Sequence, residues 1–173
     1  MDPNDRVFII AEVGQAHDGS LGTAHRYIEA IATTGADAVK FQVHMDTSPD
    51  EEWRIKFSLQ DETRYDYWHR TCFAEDEWRG LAKHARSEGL RFGASAFSMA
   101  ALLMLKRVGV DYWKVPSGKL TDLDMLKWLS LQPEPIFLST GMATWDEIGR
   151  AADQFPTAIF LQCTTKYPTA ARD

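Results

Sequence analysis

Only two of the 173 residues are cysteine, Cys72 and Cys163, and neither has a partner at metal-ligand spacing. That excludes a disulfide-stapled scaffold and leads us to expect two reduced thiols in a cytoplasmic protein. No apolar run approaches the ~18 residues of a membrane span. Residues 1–6, MDPNDR, are polar and acidic, unlike a signal or transit peptide. Basic excess is missing as well. Lys and Arg total 19 against 25 Asp and Glu, a formal net charge of −6 that suits neither nucleic acid nor an anionic membrane. Long insertions, low-complexity tracts and linkers are absent, and no G-x-G-x-x-G opens the first helix. What remains is 45% apolar and 25% charged, enough for a real core in one domain.

Short β-rich runs alternate with helical stretches. The runs are VFIIAEVG (7–14), DAVKFQV (37–43), RFGASAF (91–97), DYWKVPSG (111–118), PIFLSTG (135–141) and AIFLQCTT (158–165). Between them, Leu21, Ala24, Ile28, Ile31 and Ala32 make one helical stripe, and Leu102, Leu103, Leu105 and Val108 another. Ser20, Ser98 and the Thr144/Glu147 capping box mark helix starts. Gly35, Gly89 and Gly109 mark helix ends. Connection 44–74 is the one long link, with a short helix expected around Tyr67–Arg70. The alternation predicts a parallel sheet covered by helices, either open and doubly wound or part of a (β/α)8 barrel.

Both faces of a parallel sheet are normally apolar. Here one face is polar near the strand ends, since side chains alternate along a strand. Phe8, Ile10 and Glu12 share a face, as do Ala38, Lys40 and Gln42. Ser95 and Ser139 close their strands, Tyr112, Lys114 and Pro116 alternate with Trp113 and Val115, and Phe160, Gln162 and Thr164, taken as the polar face, alternate with Ile159, Leu161 and Cys163. Each residue has a plainer reading. A lone lysine at a strand end ordinarily snorkels to water, Glu12 and Lys40 can form a simple ion pair, and Ser or Thr often caps the next helix. Co-location decides against these. Two cations on one inner face need anionic charge, and Glu12 supplies one unit. The remainder suits a small substrate with carboxylate and phosphate groups, held further by Ser-Gly backbone amides. His25, His69 and His84 fall on helical surface. His17 and His44 follow the first two strands and overlook the mouth, without metal-type partners. Met99, Met104 and Trp53, Trp68 and Trp78 read as packing residues.

The segments FIIAEVGQAHDGSLGTA, GADAVKFQ, WKVPSG, IFLSTGMATWDEI and LQCTTKYPT resemble the N-terminal barrel of the sialic acid synthases, N-acetylneuraminate synthase and its spore-coat polysaccharide relatives. The likeness runs in order along nearly the whole chain. It implies a TIM-type (β/α)8 barrel of which residues 1–173 supply about six β/α units, with the last two strands expected beyond Asp173. It implies condensation of phosphoenolpyruvate with the aldehyde of an N-acetylmannosamine-like sugar, and a divalent metal, typically manganese, whose ligands are expected outside this chain. By motif, Lys114 and Ser117 match phosphoenolpyruvate contacts, with Lys40, Gly118 and Ser139 beside them. Glu12 matches a carboxylate that handles water or a sugar hydroxyl, and Gln42, Ser95 and Tyr167 match the sugar site.

Three departures stand out. Ala16-His17-Asp18-Gly19 replaces N-H-N-G, Lys119 replaces the glutamate of S-G-E, and Gln162 replaces the histidine of H-C-T. Two other readings stay open: a phosphoenolpyruvate-condensing aldolase with a different acceptor, which Lys119 favours, and a non-catalytic module that binds an anion or assembles with a partner. An incomplete barrel would leave open edges at Phe8, Ile10, Phe160 and Leu161, which a second copy or a later segment would cover, so a homo-oligomer is expected.

Overall fold

The computed structural model describes residues 6–45, 54–56, 61–166 and 168–170. Six parallel strands form one sheet in chain order: β1 (Ile10–Gly14), β2 (Ala38–Val43), β3 (Arg91–Ala96), β4 (Tyr112–Val115), β5 (Ile136–Ser139) and β6 (Ile159–Leu161). Helices fill the crossovers: α1 (Leu21–Ala32), α2 (Arg64–Thr71), α3 (Glu75–Ser87), α4 (Met99–Val108), α5 (Leu123–Leu129) and α6 (Trp145–Gln154). Unbroken sequential order with one handed crossover per strand curls the sheet into a partial barrel rather than a doubly wound sheet. Among the described residues β1 and β6 do not pair with each other.

The helix boundaries follow local chemistry. Ser20, Ser98 and Thr144 each accept the backbone N–H three residues on, and Glu147 completes a capping box with Thr144. Gly35, Gly89 and Gly109 end their helices with φ near +80°. The first strand is shorter than expected, because Val7 to Ile9 lie before the ladder and are exposed. The stripe on α1 buries Ala24 and Ile28. On α4 Leu102, Leu105 and Val108 are buried, but Leu103 is 44% exposed. Met104, one residue on, takes the core position, since a run of leucines alone does not say which of them faces inward.

The core lies between the outward strand face and the helices. Val39, Phe41, Phe92, Ala94, Trp113 and Leu138 pack on Ile28, Trp78, Leu81, Leu102, Leu105 and Leu126. Each large buried side chain contributes roughly 1.5–3 kcal/mol. The inward face is different in kind. Its floor is Tyr112, whose ring lies across β3 at Gly93 and whose hydroxyl donates to the Val39 carbonyl on β2 at 3.1 Å. A Cβ on residue 93 would stand 2.2 Å from the Tyr112 ring, so only glycine lets the ring cross the strand. Below it, Phe8, Arg91, Phe137, Ile159 and Leu161 surround an apolar hollow of about 440 Å³. Of the four side chains expected at open edges, Phe8 is exposed while Ile10, Phe160 and Leu161 are half-buried; Ile159, not expected there, is exposed. No helix among the described residues is long and apolar enough to cross a membrane.

Gly93→Ala is therefore expected to destabilise the chain by about 1–3 kcal/mol, the usual cost of overpacking. In a Tyr112→Val background most of that cost should vanish, as denaturant unfolding of the four proteins in the cycle would show. An unchanged penalty would mean that the Tyr112 ring is not what excludes Cβ.

Candidate anion-binding cleft

Strand register brings the polar residues to one level. Glu12 aligns with Lys40, Gln42 with Ser95, and Ser95 with Lys114. Together with Ser117 and Ser139 they line a cleft of about 490 Å³ at the C-terminal ends of the strands. Seven of the sequence-expected site residues thus meet: Glu12, Lys40, Gln42, Ser95, Lys114, Ser117 and Ser139. Gly118 does not line the cleft. It lies exposed on the 3₁₀ turn Ser117–Lys119, because that turn aims Ser117 inward and carries the next residue away. Tyr167 lies outside the described residues.

The two lysines are in different electrostatic states. Lys40, 7% exposed, forms an ion pair with Glu12 and donates to Ser95 Oγ at 3.1 Å. Lys114 has no carboxylate partner among the described residues. Its ammonium donates to Ser139 Oγ at 2.6 Å and to the Val115 carbonyl at 2.8 Å. An ammonium has three donors, so one remains. Burial, then the neighbouring charge of Lys40, pulls the Lys114 pKa down to about 8. The protein has buried a cation and left its counter-charge unsupplied.

The serines are polarised in one direction. Ser95 Oγ accepts from Lys40, Ser139 Oγ from Lys114, and Ser117 Oγ from the Gly141 N–H at 3.1 Å. With these acceptor sites used, each hydroxyl still has its own proton to give. The sequence pattern suggested Ser-Gly backbone amides as anion donors. In the structure the Gly141 amide is spent on Ser117, and the hydroxyls line the cleft. Sequence reasoning missed Cys163, Gln15 and Thr165 in the lining. It expected the Phe160, Gln162, Thr164 face of β6 to turn inward; Thr164 does line the cleft, but Gln162 does not, because the strand presents Ile159, Leu161 and then Cys163 to the inside.

The histidines depart from expectation. His17 does not overlook the mouth. It is fully buried between Phe41, Phe73 and Trp78, its Nδ1 accepts the Gly19 N–H, and burial lowers its pKa to about 4. The loop after β1 folds back over the helix side, which a sequence motif cannot show. His44 stacks between Trp68 and Phe97 at the rim, and burial followed by the charge of Lys119 lowers it to about 4. His25 and His84 are half-buried rather than free on the surface, joined Nδ1 to Nδ1 at 2.7 Å across α1 and α3. His69 is exposed, as expected. Among the described residues no three His, Cys, Asp or Glu side chains come together as a metal site.

Comparison with known proteins gives this geometry a context. The profile of the NeuB family matches residues 27–173. Pseudaminic acid synthase of Campylobacter jejuni is 32% identical over 97% of this chain and 52% of its own length. Human N-acetylneuraminate-9-phosphate synthase is 31% identical over 96% of the chain and 49% of its own. The chain thus spans about half the length of the curated relatives it matches. Among solved structures, N-acetylneuraminic acid synthetase of Leptospira borgpetersenii, crystallised with citrate, superposes with a TM-score of 0.83 at 29% identity, covering 98% of this chain and 58% of that one. A truncated 3-deoxy-D-arabino-heptulosonate 7-phosphate synthase of Thermotoga maritima shares the fold at 13% identity and a TM-score of 0.65, covering 100% of this chain and 60% of that one.

The Lys114 shift gives a test with a definite sign. Anion affinity should be full below pH 8 and fall nearly tenfold per pH unit above it, as the ammonium is lost. Lys114→Met should bind weakly with no such step. Without ligand the sign reverses for stability. The folded chain gives up this proton near 8, while the unfolded chain keeps it to the ordinary value of 10.5, so stability relative to Lys114→Met should rise across that window. Titration calorimetry and denaturant unfolding against pH read both. A flat binding profile in the parent chain would contradict the assignment.

Proposed function

Since the chain belongs to the NeuB family, we propose that its cleft binds phosphoenolpyruvate and that it forms the phosphoenolpyruvate-handling part of a sialic-acid-type synthase. The observation that carries this reading is the unpaired Lys114 beside three serine hydroxyls. Phosphoenolpyruvate carries two anionic groups. Lys114, Ser117 and Ser139 are placed for one, and Lys40 with Ser95 for the other. In the reaction, C3 of phosphoenolpyruvate forms a bond to the aldehyde carbon, whose oxygen takes up a proton. Water adds at C2 and gives up a proton, and the C2–O bond to phosphate then breaks. The products are a 2-keto acid and inorganic phosphate. Glu12 lines the cleft with one carboxylate oxygen on Lys40, and to its other oxygen we assign the proton released by water. Gln42 and Ser95 line the side on which the sugar would enter.

The resemblance also implies manganese, which takes several oxygen or imidazole ligands. The described residues do not fit one, since no cluster of three metal-type ligands exists among them, and we propose that its ligands lie outside this chain. The acceptor is open as well. Lys119 lies on the turn after β4, close enough to His44 to act on its charge, but it is paired with Asp122 at 3.2 Å and does not line the cleft. An acceptor that draws Lys119 from Asp122 must bring negative charge of its own, and on that ground we propose an acidic or differently substituted acceptor over a neutral N-acetylated sugar. We further propose that two more β/α units, or failing those a second copy, cover the unpaired edges of β1 and β6.

Phosphoenolpyruvate titrated into the chain should bind saturably, and Lys114→Ala should weaken binding by roughly 1.5–3 kcal/mol, the worth of a charge-assisted hydrogen bond. Equal affinity in the variant would remove Lys114 from the site. In a form of the protein that turns over, Lys119→Glu should move acceptor preference toward N-acetylmannosamine. An unchanged ranking would show that position 119 does not read the sugar.

A further inference from the structure

The hydroxyl of Ser139 is the most heavily engaged in the cleft, and one of its neighbours has no part in the reaction above. Cys163 Sγ lies 3.2 Å from Ser139 Oγ and 3.4 Å from the Leu161 carbonyl oxygen. We propose that Cys163 is a positioning residue of the anion site, holding the Ser139 hydroxyl and, through it, the ammonium of Lys114. The inference rests on the anion-binding reading of the cleft.

The placement of Cys163 has a clear origin. It is the next inward side chain after Leu161, two residues beyond the last ladder residue of β6. The chain is tied there from β5, where Thr140 gives both its backbone N–H and its Oγ1 hydrogen to the Leu161 carbonyl, each at 3.0 Å. A thiol has one proton and here two oxygens in reach, Ser139 Oγ and the Leu161 carbonyl, where Thr140 already fills both lone pairs and the thiol is a weak third donor. Ser139 Oγ also receives the Lys114 ammonium at 2.6 Å. Two proton arrangements therefore fit the same heavy atoms. In the first, the thiol donates to Leu161 and sulfur accepts the Ser139 proton. In the second, the thiol donates to Ser139, and the Ser139 proton points into the cleft.

An arriving anion needs the second arrangement. The exchange costs one rotation of a weakly held thiol proton and moves no heavy atom. Sulfur thus keeps Ser139 satisfied when the cleft is empty and releases its proton when the cleft fills. Serine at 163 can act in the same way. Alanine cannot, and it leaves the Ser139 hydroxyl held by Lys114 alone.

The experiment is titration of inorganic phosphate into the parent chain, Cys163→Ala and Cys163→Ser from pH 6.5 to 9.5, with thermal melting of each. Cys163→Ala is expected to bind about three- to tenfold more weakly at pH 7, the worth of one modest hydrogen bond. Its alkaline loss of binding should begin at lower pH, and its melting temperature should stay close to that of the parent. Cys163→Ser should recover most of the affinity at pH 7. In parallel, iodoacetamide labelling followed by mass spectrometry should modify Cys163 of the parent, phosphate should slow it, and Lys114→Met should remove that protection. If Cys163→Ala binds phosphate with the affinity and pH midpoint of the parent, the positioning role is wrong while the anion site stands. If the parent binds no phosphate, the anion reading fails and this role goes with it. Should Cys163→Ala not fold, the labelling decides: alkylated chain that binds phosphate as tightly as unmodified chain overturns the proposal.

Discussion

A lysine ammonium on the inner face of a parallel sheet, with no carboxylate partner among the described residues, is the constraint that organises this molecule. Burying such a charge costs several kcal/mol unless an anion meets it. Glu12 answers for Lys40, not for Lys114. The surrounding groups reduce the cost without cancelling it. Ser139 and the Val115 carbonyl take two of the three N–H donors, and the pKa falls to about 8. A site left in that state is preorganised for a ligand that brings negative charge with it.

The fold supplies that state at modest expense elsewhere. Apolar side chains on the outward strand face and the helix stripes make a conventional core, so the inner face is free to be polar. Tyr112 closes the floor of the cleft because Gly93 leaves room for its ring. Capped helices return the chain to each new strand in unbroken order, which puts every strand end at the same rim. The hollow around Phe8, Phe137 and Ile159 lies at the opposite end from the cleft, while the edges of β1 and β6, unpaired among the described residues, flank both.

Much of this was legible in the sequence. Six strands, the helix caps and the phase of β1, β2 and β4 follow from period-two alternation and from Ser, Thr and Gly at the element ends. Once phase is known, Glu12, Lys40 and Lys114 must share a face. Three things were not legible. A short edge strand such as β6 does not declare its phase, so polarity pointed to Gln162 as the inward residue where the structure has Cys163. The burial of His17 depends on a loop folding back onto Phe73 and Trp78, a tertiary contact with no local signature. The direction of hydroxyl and amide protons depends on pairs far apart in sequence, Ser117 with Gly141 and Ser139 with Lys114. This is why donor backbone amides were expected where donor hydroxyls are found.

The most direct measurement is a crystal structure of this chain grown with saturating phosphoenolpyruvate. The account requires an anionic group within hydrogen-bond distance of Lys114 Nζ and of the Ser139 hydroxyl, with Ser117 turned toward it. A cleft empty of ligand at saturation, with phosphoenolpyruvate bound instead near Arg86 or Arg91 at the other end of the strands, would contradict it.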